Sequence, residues 1–261
     1  MSLIFKCIKR GRALMMRSGG LLKLSLASAM LIFVAMLPLV FAVNWDIAVF
    51  GTAEISVLWE HLVSVLPGYG SMFILDIFLV APAFAAYVVY AYRMYSKARY
   101  GAVYGKKSSG GYFRCLLGGL LMTLRGAICA LILQGAYVLT FHLEALFRIE
   151  ELGIPMILLG IPLMSLAAVI CLVLCWITGF AFTVPYCFAK GEGIFASFKR
   201  SFKSFIRHPF LKDGYALVFL GLIALSALTF GVLLIIFVMP LMMFTYFTLA
   251  EYIDGGELLE D

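Results

Sequence analysis

The chain reads as all-α: a polytopic transmembrane helical bundle with helices lying along the membrane surface between its spans. Three observations say so. Hydrophobic residues make up 64% of the 261 positions and charged ones only 13%, about half the charged share of a soluble domain. The apolar residues come in runs of the length that crosses a ~30 Å hydrocarbon core as a helix. And every lysine and arginine except Arg125 and Arg148 falls in one of three segments, 1–23, 93–114 and 190–212. A mean hydropathy of +1.06 agrees with this. Six spans are expected, at about 24–43, 71–92, 117–141, 156–184, 215–231 and 233–250, in a single integral membrane domain over 1–261.

Residues 1–23 are basic, with no acid, and Leu24–Val43 follows as an unbroken apolar run. A signal peptide has the same order, and Val40-Phe41-Ala42 offers small-residue cleavage spacing. The run is longer than a signal core, and more spans follow, so it reads as an uncleaved first span. Pro38 should kink it. The next stretch, 44–70, carries Asp46, Glu54 and Glu60 and no lysine or arginine. Within it, Ile55, Leu58, Trp59, Leu62 and Leu66 share one helical face. Thr52 suits the N-cap and Pro67-Gly68 the stop, which gives an interfacial helix over about 53–66.

Ser71–Tyr92 is the second span. Tyr87, Tyr90, Tyr92 and Tyr95 gather at its end, as in an aromatic belt. The glycines of Gly101–Ser108 hint at a phosphate loop. That motif needs four residues between its glycines where this stretch has three, so it reads as a solvated basic loop. The third span lies within 115–142 and Arg125 divides it. The span starts near Cys115 with Arg125 at mid-depth, or near Gly126 with Tyr112–Leu124 along the surface. Met156–Val184 is the fourth, with Pro162 and Pro185 near its ends. Tyr215–Ala250 is apolar for 36 residues, ~54 Å as one helix. A turn around Phe230-Gly231 divides it into spans five and six; without that turn there would be five spans.

The most informative stretch is 194–208. Ile194, Phe195, Phe198, Phe202, Phe205 and Ile206 fall on one arc of a helix, Lys199, Arg200, Lys203 and Arg207 on the opposite arc, and serines between. Such a helix should lie flat on a lipid surface, with Phe198, Lys199, Arg200, Phe202, Lys203, Phe205 and Arg207 touching it. The three basic segments fall on one side of the alternating spans. The positive-inside rule then puts the N-terminus in the cytoplasm of a multi-pass protein.

Few residues suggest chemistry. Asp76 and Arg125 are the charges within spans, and such charges are functional candidates by default. They form an intramembrane pair for a gate or proton coupling, or each is hydrated at its own interface; the boundaries favour the second. Cys171 and Cys175 stand one turn apart and read as packing cysteines, since a metal site needs further ligands. His142-Leu143-Glu144 begins like a zinc deaminase signature but lacks the Pro-Cys-x-x-Cys that completes it. No nucleophile–base pair, metal motif or phosphate-loop match is found. No catalytic, cofactor-binding or metal residue is therefore assigned, and the chain reads as no enzyme. The expected partner is membrane lipid, anionic for preference. A protein partner is allowed, and nucleic acid is excluded because no binding motif accompanies the charge.

At Val184-Pro185-Tyr186, Glu192, Gly193, Ala196-Ser197 and Ser201 the chain resembles a loose group of bacterial integral membrane proteins. That group includes the membrane domains attached to glycerophosphodiester phosphodiesterases. In it a span ends near a proline, a Glu-…-Ala-x-x-x-Ser segment follows, and two spans close the fold. The resemblance covers about 110–250. It implies six spans in a bacterial cytoplasmic membrane and carries over no catalytic residue. The function expected is contact with anionic lipid, with a partner organised at the membrane. The alternative is a small transporter using Asp76 and Arg125.

Overall fold

The computed structural model describes residues 2–50, 67–68, 70–71, 73–101, 112–147, 157–177, 182–207, 210–229 and 231–254. Its helices are α1 (Ser2–Arg17), α2 (Leu21–Phe50), α3 (Ala81–Tyr100), α4 (Tyr112–Phe147), α5 (Ile157–Ile177), α6 (Val184–Ala189), α7 (Ile194–Arg207), α8 (Leu211–Ala227) and α9 (Met239–Ile253). Among the described residues there is no strand. Among the described residues three helical segments, Leu21–Pro38, Phe73–Tyr100 and Leu234–Ile253, are long and apolar enough to cross a membrane. The interfacial helix expected over 53–66 lies outside the described residues.

The chain divides into two compact units. The first comprises Met1–Ala35, Leu79–Met122 and Gly179–Asp261. Its core gathers around α9, whose Phe244, Phe247, Leu249 and Ala250 are fully buried, with Met15, Leu24, Val88, Tyr95 and Phe219 from four other helices. Glycines set the closest approaches. A Cβ on Gly11 would stand 2.8 Å from the Thr245 backbone nitrogen, so α1 meets α9 nearly backbone to backbone. A Cβ on Gly119 would stand 1.9 Å from the Ala81 carbonyl oxygen, where α4 crosses the start of α3.

The second unit comprises Met36–Phe78 and Thr123–Thr178. There α4 and α5 are joined by two reciprocal contacts. The Cys171 thiol donates to the Cys129 carbonyl at 3.5 Å, and the Cys129 thiol to the Cys171 carbonyl at 3.9 Å. Cys171 thus packs between helices, as a small hydrophobe with a weak donor does. The Cys175 side chain lies outside the described residues.

Among the described residues two π-turns interrupt the helices, at Asp76–Val80 and Leu234–Val238. Each ends two residues before a proline, Pro82 and Pro240. A proline inside a helix has no N–H to give, and its ring pushes against the carbonyl four residues back. The widened turn absorbs that clash. For Pro240 the displaced carbonyl is that of Ile236, and Ser25 on α2 donates to it at 2.8 Å. A distant hydroxyl satisfies the group that the proline frees, as the hydrocarbon interior requires.

Several expectations change in detail. The run 215–250 does divide near Gly231, which takes a positive φ of 78°. The Gly231 amide donates back to Ser226 O at 3.1 Å, and the Thr229 hydroxyl accepts from Leu233 N–H at 3.2 Å to start the next helix. The third apolar region is one unbroken 36-residue helix, α4, through Arg125. Tyr112–Leu124 is therefore no separate surface helix: no proline interrupts it, and its paired glycines serve close packing. The fourth helix is described over Ile157–Ile177, and Phe182–Thr183 forms a turn, so the helical span expected to 184 does not hold at 182–183. Pro185 instead sits in the first turn of α6, where its missing N–H costs nothing. Finally, Tyr87, Tyr92 and Tyr95 are buried in the core, and among the four tyrosines of the expected belt only Tyr90 is exposed. They line the core because each finds partners there: Tyr87 bonds Ser28 at 2.8 Å, and Tyr92 and Tyr95 meet Tyr186, Phe244 and Phe247 edge-on or tilted.

Candidate functional site

The site is built around α7 and the end of α9, both in the first unit. The α7 helix has three faces. The serines read from sequence as fillers form the inner one: Ser197 and Ser201, one turn apart, are completely buried. Ser197 returns its hydroxyl to Gly193 O at 3.0 Å, and the Ser201 oxygen accepts from the Thr183 amide at 3.1 Å. Small side chains whose hydroxyls bond the backbone let one segment lie close on another without stranding a polar group. The other described side chains of α7 are exposed or half-buried. Lys199 and Lys203 are exposed, Phe202 is 54% exposed and Phe198 half-buried. The side chains of Phe205 and Arg207 lie outside the described residues.

Arg200, expected on the lipid face, is held by the protein. Its guanidinium forks onto Asp254, just beyond α9, at 2.5 and 2.6 Å, and reaches Glu192 at 2.5 Å. Lys190 stands 3.8 Å from the same aspartate and 4.9 Å above the Tyr186 ring. Desolvation works to lower the Arg200 pKa, but the bond and charge of Asp254 and the charge of Glu192 outweigh it and hold it above its ordinary value. A bidentate pair of this kind fixes orientation as well as charge.

One turn earlier on α9, Glu251 is gripped by α3. The Tyr95 hydroxyl donates to it at 2.7 Å, Tyr100 donates to its other oxygen, and Arg99 lies 3.0 Å away. Arg99 also donates to the Tyr95 oxygen at 3.1 Å. The Arg99 and Glu251 side chains are only 9% and 13% exposed, so each needs the other: an ion left alone at that depth is costly.

Behind these pairs, α6 is pinned by one hydroxyl. Tyr246 donates to Phe182 O at 2.7 Å and accepts from the Tyr186 amide at 3.2 Å. Burial pushes the Cys187 thiol up to about 12, with the charges of Glu192 and Asp254 acting the same way and Arg200 and Lys190 against them. Burial, followed by the Glu251 charge, likewise raises the Tyr186 hydroxyl far above its usual value. Both stay protonated at neutral pH, and a protonated thiol is a poor nucleophile. The cluster therefore acts as a clasp that joins α3, α6, α7 and α9.

Asp76 opens the first π-turn and is partly buried. Arg125 lies on α4, its side chain outside the described residues. Among the described residues no group of three or more histidine, cysteine or acidic side chains could hold a metal. Sequence reasoning missed Glu251 and Asp254. The available signal was the spacing: two acids three apart at the end of an apolar run, and Tyr95 and Arg99 four apart on another, each pair on one helical face. No protein-family model matches the chain, and neither a search of curated proteins nor one of solved structures finds a match.

Proposed function

We propose that the protein is a non-enzymatic membrane protein that holds α7 against the headgroups of anionic lipid and organises a partner there. In this reading it is a multi-pass protein of a bacterial cytoplasmic membrane, with its N-terminus inside. One observation carries the proposal. The serine seam and Arg200 fasten α7 to the protein, which leaves Phe202, Lys199 and Lys203 facing outward. A buried phenylalanine contributes up to ~1.5–3 kcal/mol, and each lysine near an anionic leaflet about 1 kcal/mol. With Arg200 engaged by Asp254, the apolar share should dominate attachment and the lysines should set lipid preference.

The test is proteinase K cleavage within 194–207 in inside-out vesicles. Phe198→Ser/Phe202→Ser/Phe205→Ser should expose the helix to cleavage. Lys199→Gln/Lys203→Gln/Arg207→Gln should leave it protected while removing the preference for anionic over neutral lipid. Equal cleavage of the two variants would overturn the reading.

A further inference from the structure

The first helix carries a second basic face. On its inner side Ile4, Cys7, Leu14 and Met15 are buried, and Gly11 abuts Thr245. Cβ atoms on Gly20 and Gly214 would strike Met94 and Ile4. The helix and its junction with α2 therefore lie against the C-terminal half of α3, the first turn of α8 and the middle of α9. Burial at this face, with Arg10 opposing it, pushes the Cys7 thiol up to about 11.

The outer side is different in kind. Lys6, Lys9, Arg12 and Arg17 are exposed, and Phe5 and Met16 between them are each 57% exposed. At 100° per residue, Phe5, Lys9, Arg12 and Met16 fall in one narrow arc. The helix has no aspartate or glutamate, so nothing on it neutralises these cations. Among the described residues no ion pair to Lys6, Lys9, Arg12 or Arg17 is found, and large apolar side chains interleaved with such cations suit a headgroup layer. The apolar groups reach the acyl boundary, and the long basic chains bend back to the phosphates.

We infer that α1 is a second lipid-contact surface whose occupant is the anionic leaflet of the membrane that α2 enters. It is separate from α7 and does not rest on the reading of that helix. Charge complementarity identifies the occupant: unopposed cations seek anionic headgroups, and the exposed Phe5 and Met16 have an apolar layer to enter there and none in water.

The experiment uses the full chain in nanodiscs of equal phosphatidylglycerol and phosphatidylcholine, with co-purifying lipid read by native mass spectrometry. Lys6→Gln/Lys9→Gln/Arg12→Gln/Arg17→Gln should lower the retained ratio of anionic to neutral lipid by about fivefold or more, roughly the weight of one such cation. Thermal unfolding should not change, since all four side chains are exposed. The fall should appear equally on the wild-type and the Lys199→Gln/Lys203→Gln backgrounds, which separates failure at α1 from failure at α7. Should the fourfold variant not fold, Lys9→Gln/Arg12→Gln is read in the same way. An unchanged ratio in a variant that melts like the wild type overturns the inference. So does displacement of the anionic lipid from the wild type by a polyglutamate peptide, which would identify an acidic protein surface as the occupant.

Discussion

The segments Leu21–Pro38 and Leu234–Ile253 have nearly the same hydropathy, yet 28% of the first is buried and 61% of the second. The difference lies in their polar residues. On α2 the exposed stripe is Leu22, Leu26, Met30 and Phe33, while Ser25 and Ser28 face the core with Leu24 and Leu31. On α9 the buried set includes Thr245, Tyr246 and Thr248 beside Phe244 and Phe247. Lipid is as apolar as leucine, so burying a leucine gains little there. A hydroxyl in lipid without a partner costs several kcal/mol. On α2 the serines mark the inside and a stripe of large apolar side chains the outside, while on α9 hydroxyls and rings are buried together.

The contrast can be broken most directly at phenylalanine. Phe247→Ala on α9 should cost about 3–5 kcal/mol, the cavity cost of a fully buried ring. Phe33→Ala on α2, 62% exposed, should cost under ~1 kcal/mol, as expected away from the core. Reversible unfolding in bicelles measures both, and equal losses would refute the distinction. A smaller effect sharpens the polar half of the comparison. Tyr246→Phe keeps the ring and removes only the hydroxyl that serves Phe182 O and the Tyr186 amide. Its cost should be about 1–3 kcal/mol, with faster hydrogen exchange at the Tyr186 amide by mass spectrometry. The smallest effect tests close approach. Gly11→Ala presses a methyl on the Thr245 backbone and should cost a net ~0.5–2 kcal/mol, the better helix propensity offsetting part of the overpacking. Gly221→Ala on α8 meets nothing within 4 Å and should be neutral or stabilising by up to ~1 kcal/mol.

Helical class and the break at Gly231 were legible because apolar run length and punctuation are local signals. The basic helix was legible too, since α7 covers 194–207 of the expected 194–208. Its anchoring was not. Periodicity shows which residues share a face but not what each face meets, so neither the burial of the serines nor the pairing of Arg200 with Asp254 could be read. Tyr92 and Tyr95 misled for a related reason: an amphipathic ring near a helix end suits an interface or a polar cluster equally well. The choice depends on Glu251, 156 residues beyond Tyr95. The amphipathic pattern of α1 was readable from its sequence, but its charge drew attention to topology alone.

The bond from Ser25 to Ile236 O spans 211 residues, and it bears on how the chain is made. Synthesis runs from the N-terminus, so α2 leaves the ribosome long before the π-turn ahead of α9. While Ser25 waits, its hydroxyl can bond the Leu21 carbonyl on its own helix at 2.8 Å, so the early helix carries no unmet group into the bilayer. The carbonyl displaced by Pro240 emerges much later. It enters a membrane where its donor is already in place, and the order of translation spares the late helix a costly interval.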